Sequence, residues 1–225
     1  MNFLSHYYFD RHIHDPQRVV GMVLPDLVKN TRKDWCIRPE KREGKFQDNE
    51  LLKNIFIGWK RHLEVDKHFH SSDFFYHHTE TIRIKVAPIL ESSPVRPSFM
   101  AHISLELMLD ALLLTESVIQ AESFYTQISE ADRRALHEFL QLNEIAETDL
   151  FFKFFDEFIE ASYLNSYREA NNIMYALGRI CQRLWLEPFN ETQQLQLTAV
   201  LIDYQQDLKN DFMTIFDEID SLVNR

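Results

Sequence analysis

Glycine, proline and cysteine are scarce in this sequence, and each shortage excludes a class of protein. Four glycines and seven prolines among 225 residues leave little material for the tight turns and bulges of sheet proteins. The two cysteines, Cys36 and Cys181, lie far apart and form no CxxC pair. The sequence therefore indicates neither a disulfide scaffold nor a thiolate zinc site, and a reducing cytoplasm fits best.

Basic charge is also in short supply. The chain has 24 Lys plus Arg against 35 Asp plus Glu, a formal net charge of −11, which argues against general nucleic-acid binding. The first ten residues lack the basic and apolar regions of a signal peptide, and no run approaches the roughly 18 apolar residues of a membrane span. We expect no nucleic-acid partner, no membrane association and a cytoplasmic location, and the oligomeric state stays open.

The pattern of apolar residues predicts an all-α protein. A hydrophobic content of 45% and apolar residues at three- and four-residue spacing favour one multi-helix domain, residues 1–225. Candidate helix caps are Ser72 or Asp73, Ser98, and the box-like pairs Ser129 with Asp132 and Asn190 with Gln193. The predicted helices are 4–14, 17–30, 51–70, 98–117, 130–142, 147–164, 167–186 and 191–223, with a polar segment at 31–49.

The histidines divide the chain into two halves. Nine of the ten lie at or before His102, so any chemistry is expected in a site-bearing half, residues 1–115. The remainder, residues 116–225, is a predicted packing half whose five phenylalanines between 151 and 158 follow helical spacing. The pair His77 and His78 is expected on the surface or beside a loop.

One candidate site is a stripe on the predicted helix 51–70. His62, Asp66 and His70 stand four residues apart, so their side chains lie along one face about one turn apart. Imidazole and carboxylate groups in this arrangement suit zinc, iron or manganese. The alternative is a solvated outer face of the helix.

A second stripe repeats this spacing in a strongly apolar helix. His102, Glu106 and Asp110 also stand four residues apart. Carboxylates in such a helix require a partner, which is either a metal ion or a buried cation such as Arg61. The coincidence of two stripes favours the metal ion.

Further polar groups are candidates for the same site. His6 and Asp26 each stand among apolar neighbours, where the alternative for each is a hydrogen-bonded polar group in the core. A basic segment that can receive an acidic partner contains Lys29, Arg32, Lys33, Arg38, Lys41, Arg42 and Lys45.

Four short motifs, in order, resemble the acyl carrier protein phosphodiesterase family. They are the opening Met-Asn-Phe-Leu-Ser-His, the segment Gly21…Leu-Pro-Asp26, the segment Gly58…His62…Asp66, and Leu-Asp110…Leu-Leu, which together span residues 1–115. The resemblance implies a helical protein distantly related to HD-type phosphohydrolases. It also implies a hydrolase that removes 4′-phosphopantetheine from holo acyl carrier protein with a divalent ion such as manganese, a step connected with fatty acid biosynthesis.

The resemblance assigns roles to the residues singled out above. His6, Asp26, His62, Asp66 and Asp110 match motif positions, and His70 stands where the family has an Asp. We expect proton-transfer or other catalytic roles for His6, His102 and Glu106. The expected metal ligands are Asp26, His62, Asp66, His70 and Asp110.

The sequence departs from the family pattern at four positions. Leu63 replaces an Arg, His70 and Glu106 each replace an Asp, and Ala111 replaces a His. The exchanges at 70 and 106 keep the capacity to bind a metal, whereas those at 63 and 111 do not. Two alternatives therefore stay open: a non-catalytic helical interaction protein, and a phosphohydrolase of a small phosphorylated metabolite or nucleotide.

Overall fold

The computed structural model describes residues 1–224, and all regular secondary structure in that range is helical. The all-α prediction is confirmed. Two short 3-10 helices, Pro39–Lys45 and Tyr163–Arg168, accompany the α-helices. The α-helices are α1 (Phe3–Asp10), α2 (Pro16–Thr31), α3 (Glu50–His70), α4 (Asp73–Val86), α5 (Pro97–Thr115), α6 (Ala121–Ser129), α7 (Arg133–Leu142), α8 (Thr148–Ala161), α9 (Ala170–Gln182), α10 (Glu191–Leu208) and α11 (Met213–Val223).

Two of the four predicted helix starts are confirmed by their caps, and at a third Asp132, not Ser129, caps α7 by accepting from the backbone N–H of Ala135. Ser72 caps α4 by accepting a hydrogen bond from the backbone N–H of Phe75, and Asn190 and Gln193 form a reciprocal capping box at α10. The prediction that Ser98 caps α5 is wrong. Pro97 occupies the first turn, where its fixed φ and missing N–H are tolerated, so the helix begins one residue earlier.

The largest differences from the predicted helices concern α1, α6 and the two helices after Asn190. Helix α1 ends at Asp10 and not at residue 14, and α6 was not predicted. The predicted helix 191–223 is two helices, because α10 ends at Leu208 and α11 begins at Met213. No glycine or proline marks that break, so apolar periodicity alone continued the helix through it.

The chain forms two compact units, each discontinuous in sequence. Unit one contains Met1–Ser5, Lys67–Val118 and the described residues from Ser166 onward, and unit two contains His6–Asp66 and Ile119–Asn165. These units do not coincide with the predicted site-bearing and packing halves. Helix α3 contributes residues to both.

Each unit has its own helix packing. In unit one, α4 and α5 form the most extensive pair, and α9 and α10 pack against α5 and α4 respectively. In unit two, α2 packs against α6 and α8. The rings of Phe46, Phe56 and Phe139 meet in the unit two core, and Phe151, Phe155 and Phe158 on α8 are buried as predicted.

The sequence predicted no apolar segment long enough to cross a membrane, and helix α5 corrects this expectation. It is long and apolar enough to cross a membrane, with a mean hydropathy of 1.4 in its most apolar window. However, 67% of that window is buried inside the structure, as in the core helix of a soluble protein. The carboxylates Glu106 and Asp110 lie on this helix and have partners in unit one.

Two glycines bring α2 and α3 into backbone contact in unit two. A Cβ atom at Gly58 would clash with the carbonyl oxygen of Arg18 and would lie 2.6 Å from the amide nitrogen of Met22. A Cβ atom at Gly21 would clash with the carbonyl of Ile55 in the same way. Real Cβ atoms cannot approach backbone atoms this closely, so the helices can only touch here because both positions are glycine.

We predict that Gly58→Ala destabilises the protein by about 3 kcal/mol or more, because the added methyl group forces two rigid backbones apart. Gly178→Ala is the matched control. An added Cβ at Gly178 on α9 meets nothing within 4 Å, so alanine should stabilise that helix by about 0.5–1 kcal/mol. Urea unfolding followed by circular dichroism measures both changes. Equal stabilities of the Gly58→Ala and wild-type proteins would show that the close crossing is not required.

Candidate metal centres

The glycine crossing places His62 against the backbone of α2. His62 follows Gly58 by one helical turn, and its Nδ1 donates a hydrogen bond to the carbonyl oxygen of Met22, at 2.8 Å. A neutral imidazole with its proton on Nδ1 has a lone pair, and no proton, on Nε2. A backbone carbonyl that fixes the tautomer in this way is the usual outer support of a metal-binding histidine.

His62, His6 and Asp66 form the first of two clusters, named here the His62 cluster. Nε2 of His6 lies 3.3 Å from Oδ1 of Asp66, and Nε2 of His62 lies 3.5 Å from Oδ2. The two imidazole rings are stacked, with centroids 3.8 Å apart and an interplanar angle of 17°. One ligand atom from each of the three residues lies within 4.8 Å of the others, so the cluster can hold a metal ion.

The charge states in the His62 cluster favour a cation. Burial lowers the pKa of His6 to about 4, so its imidazole is neutral at pH 7. Burial raises the pKa of Asp66, but the contacts with His6 and His62 and a nearby positive charge together lower it well below its usual range, so the carboxyl is ionised at pH 7. His6 is completely buried, and neither of its ring nitrogens has a well-aligned hydrogen bond. Orphaned buried nitrogens beside a carboxylate fit the ligand set of a divalent ion.

Asp10 is a buried carboxylate of unit two that the sequence did not single out. Arg18 donates two hydrogen bonds of 2.8 Å to its two oxygens, and Arg61 lies 3.8 Å away. Arg61 also pairs with Glu64. Asp10 is therefore held by cations of the chain itself. Within the second stripe, the buried cation that pairs with Glu106 is the amino group of Met1, 3.1 Å away.

The second cluster, named here the His102 cluster, contains His70, His102 and Glu106 of unit one. Nε2 of His102 lies 3.0 Å from Oε1 of Glu106 and 3.2 Å from Nε2 of His70, and the latter lies 3.4 Å from the same Oε1. Burial raises the pKa of Glu106, but the amino group of Met1 at 3.1 Å and the two histidines lower it well below its usual value. This cluster can also hold a metal ion.

Asp110 lies in neither cluster. Its Oδ1 accepts hydrogen bonds from the Ser5 hydroxyl at 2.6 Å and the Ser5 N–H at 2.7 Å, and its Oδ2 accepts from Leu4 N–H and the Asn2 amide. Burial raises its pKa to about 7, against the effect of these hydrogen bonds. The carboxyl satisfies the free N–H groups in the first turn of α1, where the helix dipole also favours negative charge.

The predicted site is therefore divided among several places. The stripe His62, Asp66 and His70 contributes its first two members to one cluster and the third to the other. His102 and Glu106, predicted as catalytic groups, occupy ligand positions beside His70. Asp26 is half buried on α2 and belongs to neither cluster.

The sequence also missed a buried polar pair in unit one. His78, expected at the surface, is buried on α4, and its Nδ1 lies 2.7 Å from the hydroxyl of Tyr204. Asp211 lies 3.4 Å from Nε2. Two adjacent histidines give no signal of which one faces the core. A helical-face analysis of α4, with Ile82 and Val86 buried at four-residue spacing from His78, could have shown it.

The basic segment is partly neutralised by acidic residues of unit two. Arg32 pairs with Glu147 and Asp34, and Arg42 pairs with Glu144. The segment therefore presents less net positive charge than its sequence suggests.

Compared with protein-family models, with curated proteins and with solved structures, the chain has no match. The resemblance to the acyl carrier protein phosphodiesterase family therefore stays a prediction. The candidate functional groups of this protein are those of the two clusters.

We predict that His62→Ala and Asp66→Ala each remove one bound metal ion per chain. Each substitution deletes a ligand of the His62 cluster and leaves the α-helical backbone intact. His68→Ala, on the same helix but in neither cluster, is the matched control. Elemental analysis of dialysed protein measures the metal, and circular dichroism checks the fold. Unchanged metal content in both folded variants would mean that this face of α3 binds no ion.

For Asp110→Asn we predict a loss of stability without a loss of metal. The amide keeps one acceptor oxygen, so two of the four donors facing Asp110 lose their partner, at a cost of about 1–3 kcal/mol. Urea unfolding gives the stability, and elemental analysis gives the metal content. A folded Asp110→Asn protein that has lost metal would place this carboxyl back among the ligands.

Proposed function

We propose that the protein is a metal-dependent phosphoester hydrolase with its metal centre at the His62 cluster. The ligands are His6, His62 and Asp66, and the ion is a divalent metal, with manganese first and iron or zinc as alternatives. The fold is then a distant variant of the HD-type helical phosphohydrolases, and the location is cytoplasmic. The substrate class follows from the resemblance: a phosphodiester, in the first place the phosphopantetheine-serine linkage of holo acyl carrier protein.

The observation that carries this proposal is the set of lone pairs that face one another. His62 donates its Nδ1 proton to Met22, so a neutral His62 presents only an acceptor at Nε2. Asp66 is ionised, and the His6 nitrogens lack aligned hydrogen bonds. An ionised carboxylate and two neutral imidazoles whose ligand atoms lie within 4.8 Å of one another form a common ligand set for catalytic metals.

An ion held there supplies Lewis-acid activation of a phosphoryl oxygen and of a water molecule. The chain contributes the positioning. The carbonyl of Met22 holds the ring of His62, and the stacked ring of His6 excludes water from the inner side of the cluster. Asp66 is about one third exposed, so solvent and substrate reach the cluster from its side.

One observation favours a second candidate substrate. Holo acyl carrier protein is strongly acidic, and a partner of net charge −11 attracts it only through a local basic surface. Arg32 and Arg42 of the basic segment are already paired with Glu147 and Glu144. A small phosphorylated metabolite or nucleotide does not need such a surface, so it is the second substrate class to test.

The test is turnover by manganese-loaded protein. We expect release of phosphopantetheine from holo acyl carrier protein or, if the second candidate is right, hydrolysis of the generic diester bis(p-nitrophenyl) phosphate. His62→Ala should lower either rate by at least about a hundredfold, since even outer-shell changes at metal sites often cost 10–100-fold. His68→Ala should retain the rate.

Two results would contradict the proposal. A fully metallated protein that is inert toward both substrates would favour a non-catalytic helical interaction protein. An active and folded His62→Ala protein would move the chemistry away from this cluster.

A further inference from the structure

The three ligand atoms of the His102 cluster form a nearly regular triangle. Nε2 of His70, Nε2 of His102 and Oε1 of Glu106 are separated by 3.2, 3.0 and 3.4 Å. In a tetrahedral zinc site with bonds of about 2.0–2.1 Å, neighbouring ligand atoms lie about 3.3–3.4 Å apart. The triangle therefore has a size that can hold a single small divalent ion.

Hydrogen bonds between two neutral histidines and Glu106 do not satisfy all three contacts at once. A neutral imidazole has at Nε2 either one hydrogen or one lone pair. If His70 donates to His102, the lone pair of His102 is used and its Nε2 has no proton for Glu106. If both histidines donate to Glu106, two N–H groups face each other at an N–N distance of 3.2 Å. A cation at the centre allows all three atoms to act as acceptors.

We propose that the His102 cluster is a second, separate binding site for a divalent transition ion of the zinc type. The ligands are Nε2 of His70, Nε2 of His102 and Oε1 of Glu106. All three residues belong to unit one, whereas the His62 cluster belongs entirely to unit two. The site loads independently of the His62 cluster and does not depend on the proposed hydrolase activity.

The ligands are held in place before an ion arrives. His102 and Glu106 are one turn apart on α5, and the ring of Phe75 makes edge contacts with His70 and His102, both at centroid distances of 5.1 Å. Such packing fixes both imidazole planes. Oε1 of Glu106 also lies 3.1 Å from the amino group of Met1, so an ion bound to Oε1 shares this oxygen with that group or displaces it.

Solvent has access to this site. His70 is 34% exposed and His102 is 38% exposed, while Glu106 is 14% exposed. His102 also lines an open cleft of about 510 Å³ with Arg96, Phe99 and Trp185. An ion can therefore enter and leave, and three protein ligands leave coordination positions for water or an anion.

Zinc binding by the full-length protein tests the proposal. Equilibrium dialysis with zinc, followed by elemental analysis, should give two ions per chain for wild type and one for His70→Ala and His102→Ala. His62→Ala should also bind one ion, and the double variant His62→Ala with His102→Ala should bind none. His68→Ala, on α3 but outside both clusters, should keep two.

A second measurement avoids any variant that fails to fold. In wild-type protein labelled with nitrogen-15, zinc should shift the Nε2 signals of His70 and His102, while the signal of His68 stays in place. The proposal is overturned if those two signals do not move in zinc-saturated protein. It is equally overturned if folded His70→Ala and His102→Ala proteins bind as much zinc as wild type.

Discussion

The close crossing of α2 and α3 is the constraint on which the His62 cluster depends. Gly21 and Gly58 let the two backbones touch, with no room for a Cβ atom at either position. This contact brings the Met22 carbonyl within 2.8 Å of the His62 ring, which fixes the tautomer and aims Nε2 at Asp66. A wider crossing would break that hydrogen bond, and His62 would be free to turn. The geometry of this candidate metal centre thus depends on two residues without side chains.

In the described part of the chain, the partners of a buried carboxylate show whether it has a structural role or is a candidate metal ligand. Asp10 is matched by Arg18 and Arg61, and Asp110 by four hydrogen-bond donors around the start of α1. Their charges are satisfied by the fold itself. At Asp66 two neutral imidazoles lie within 3.5 Å of the carboxylate, and one nitrogen of each can bind a metal ion. Imidazole beside a carboxylate is a ligand set for divalent ions, whereas a guanidinium group or a set of backbone N–H groups is not.

Much of the fold could be predicted from sequence, because helix periodicity and capping are local properties. The Ser72 cap, the Asn190 and Gln193 box and the extent of α3 follow from residues within one or two turns. The stripes were also visible, since four-residue spacing fixes which side chains share a helix face. What spacing cannot give is the partner across a helix interface. The role of Asp110 depends on hydrogen-bond donors more than a hundred positions away in the sequence. The division of His62 and His70 between the clusters depends on His6 and His102, which lie on other helices.

Helix α3 carries His62 and Asp66 of the His62 cluster one turn apart, so the number of residues between them cannot change without separating the two side chains. One residue added to an α-helix rotates everything beyond it by about 100°. An insertion between His62 and Asp66 would turn the carboxylate away from its imidazole partner. Variation in length is therefore compatible with the His62 cluster only outside residues 62–66 of α3, for example in the polar segment before Glu50, and point substitution is the main route of change within them.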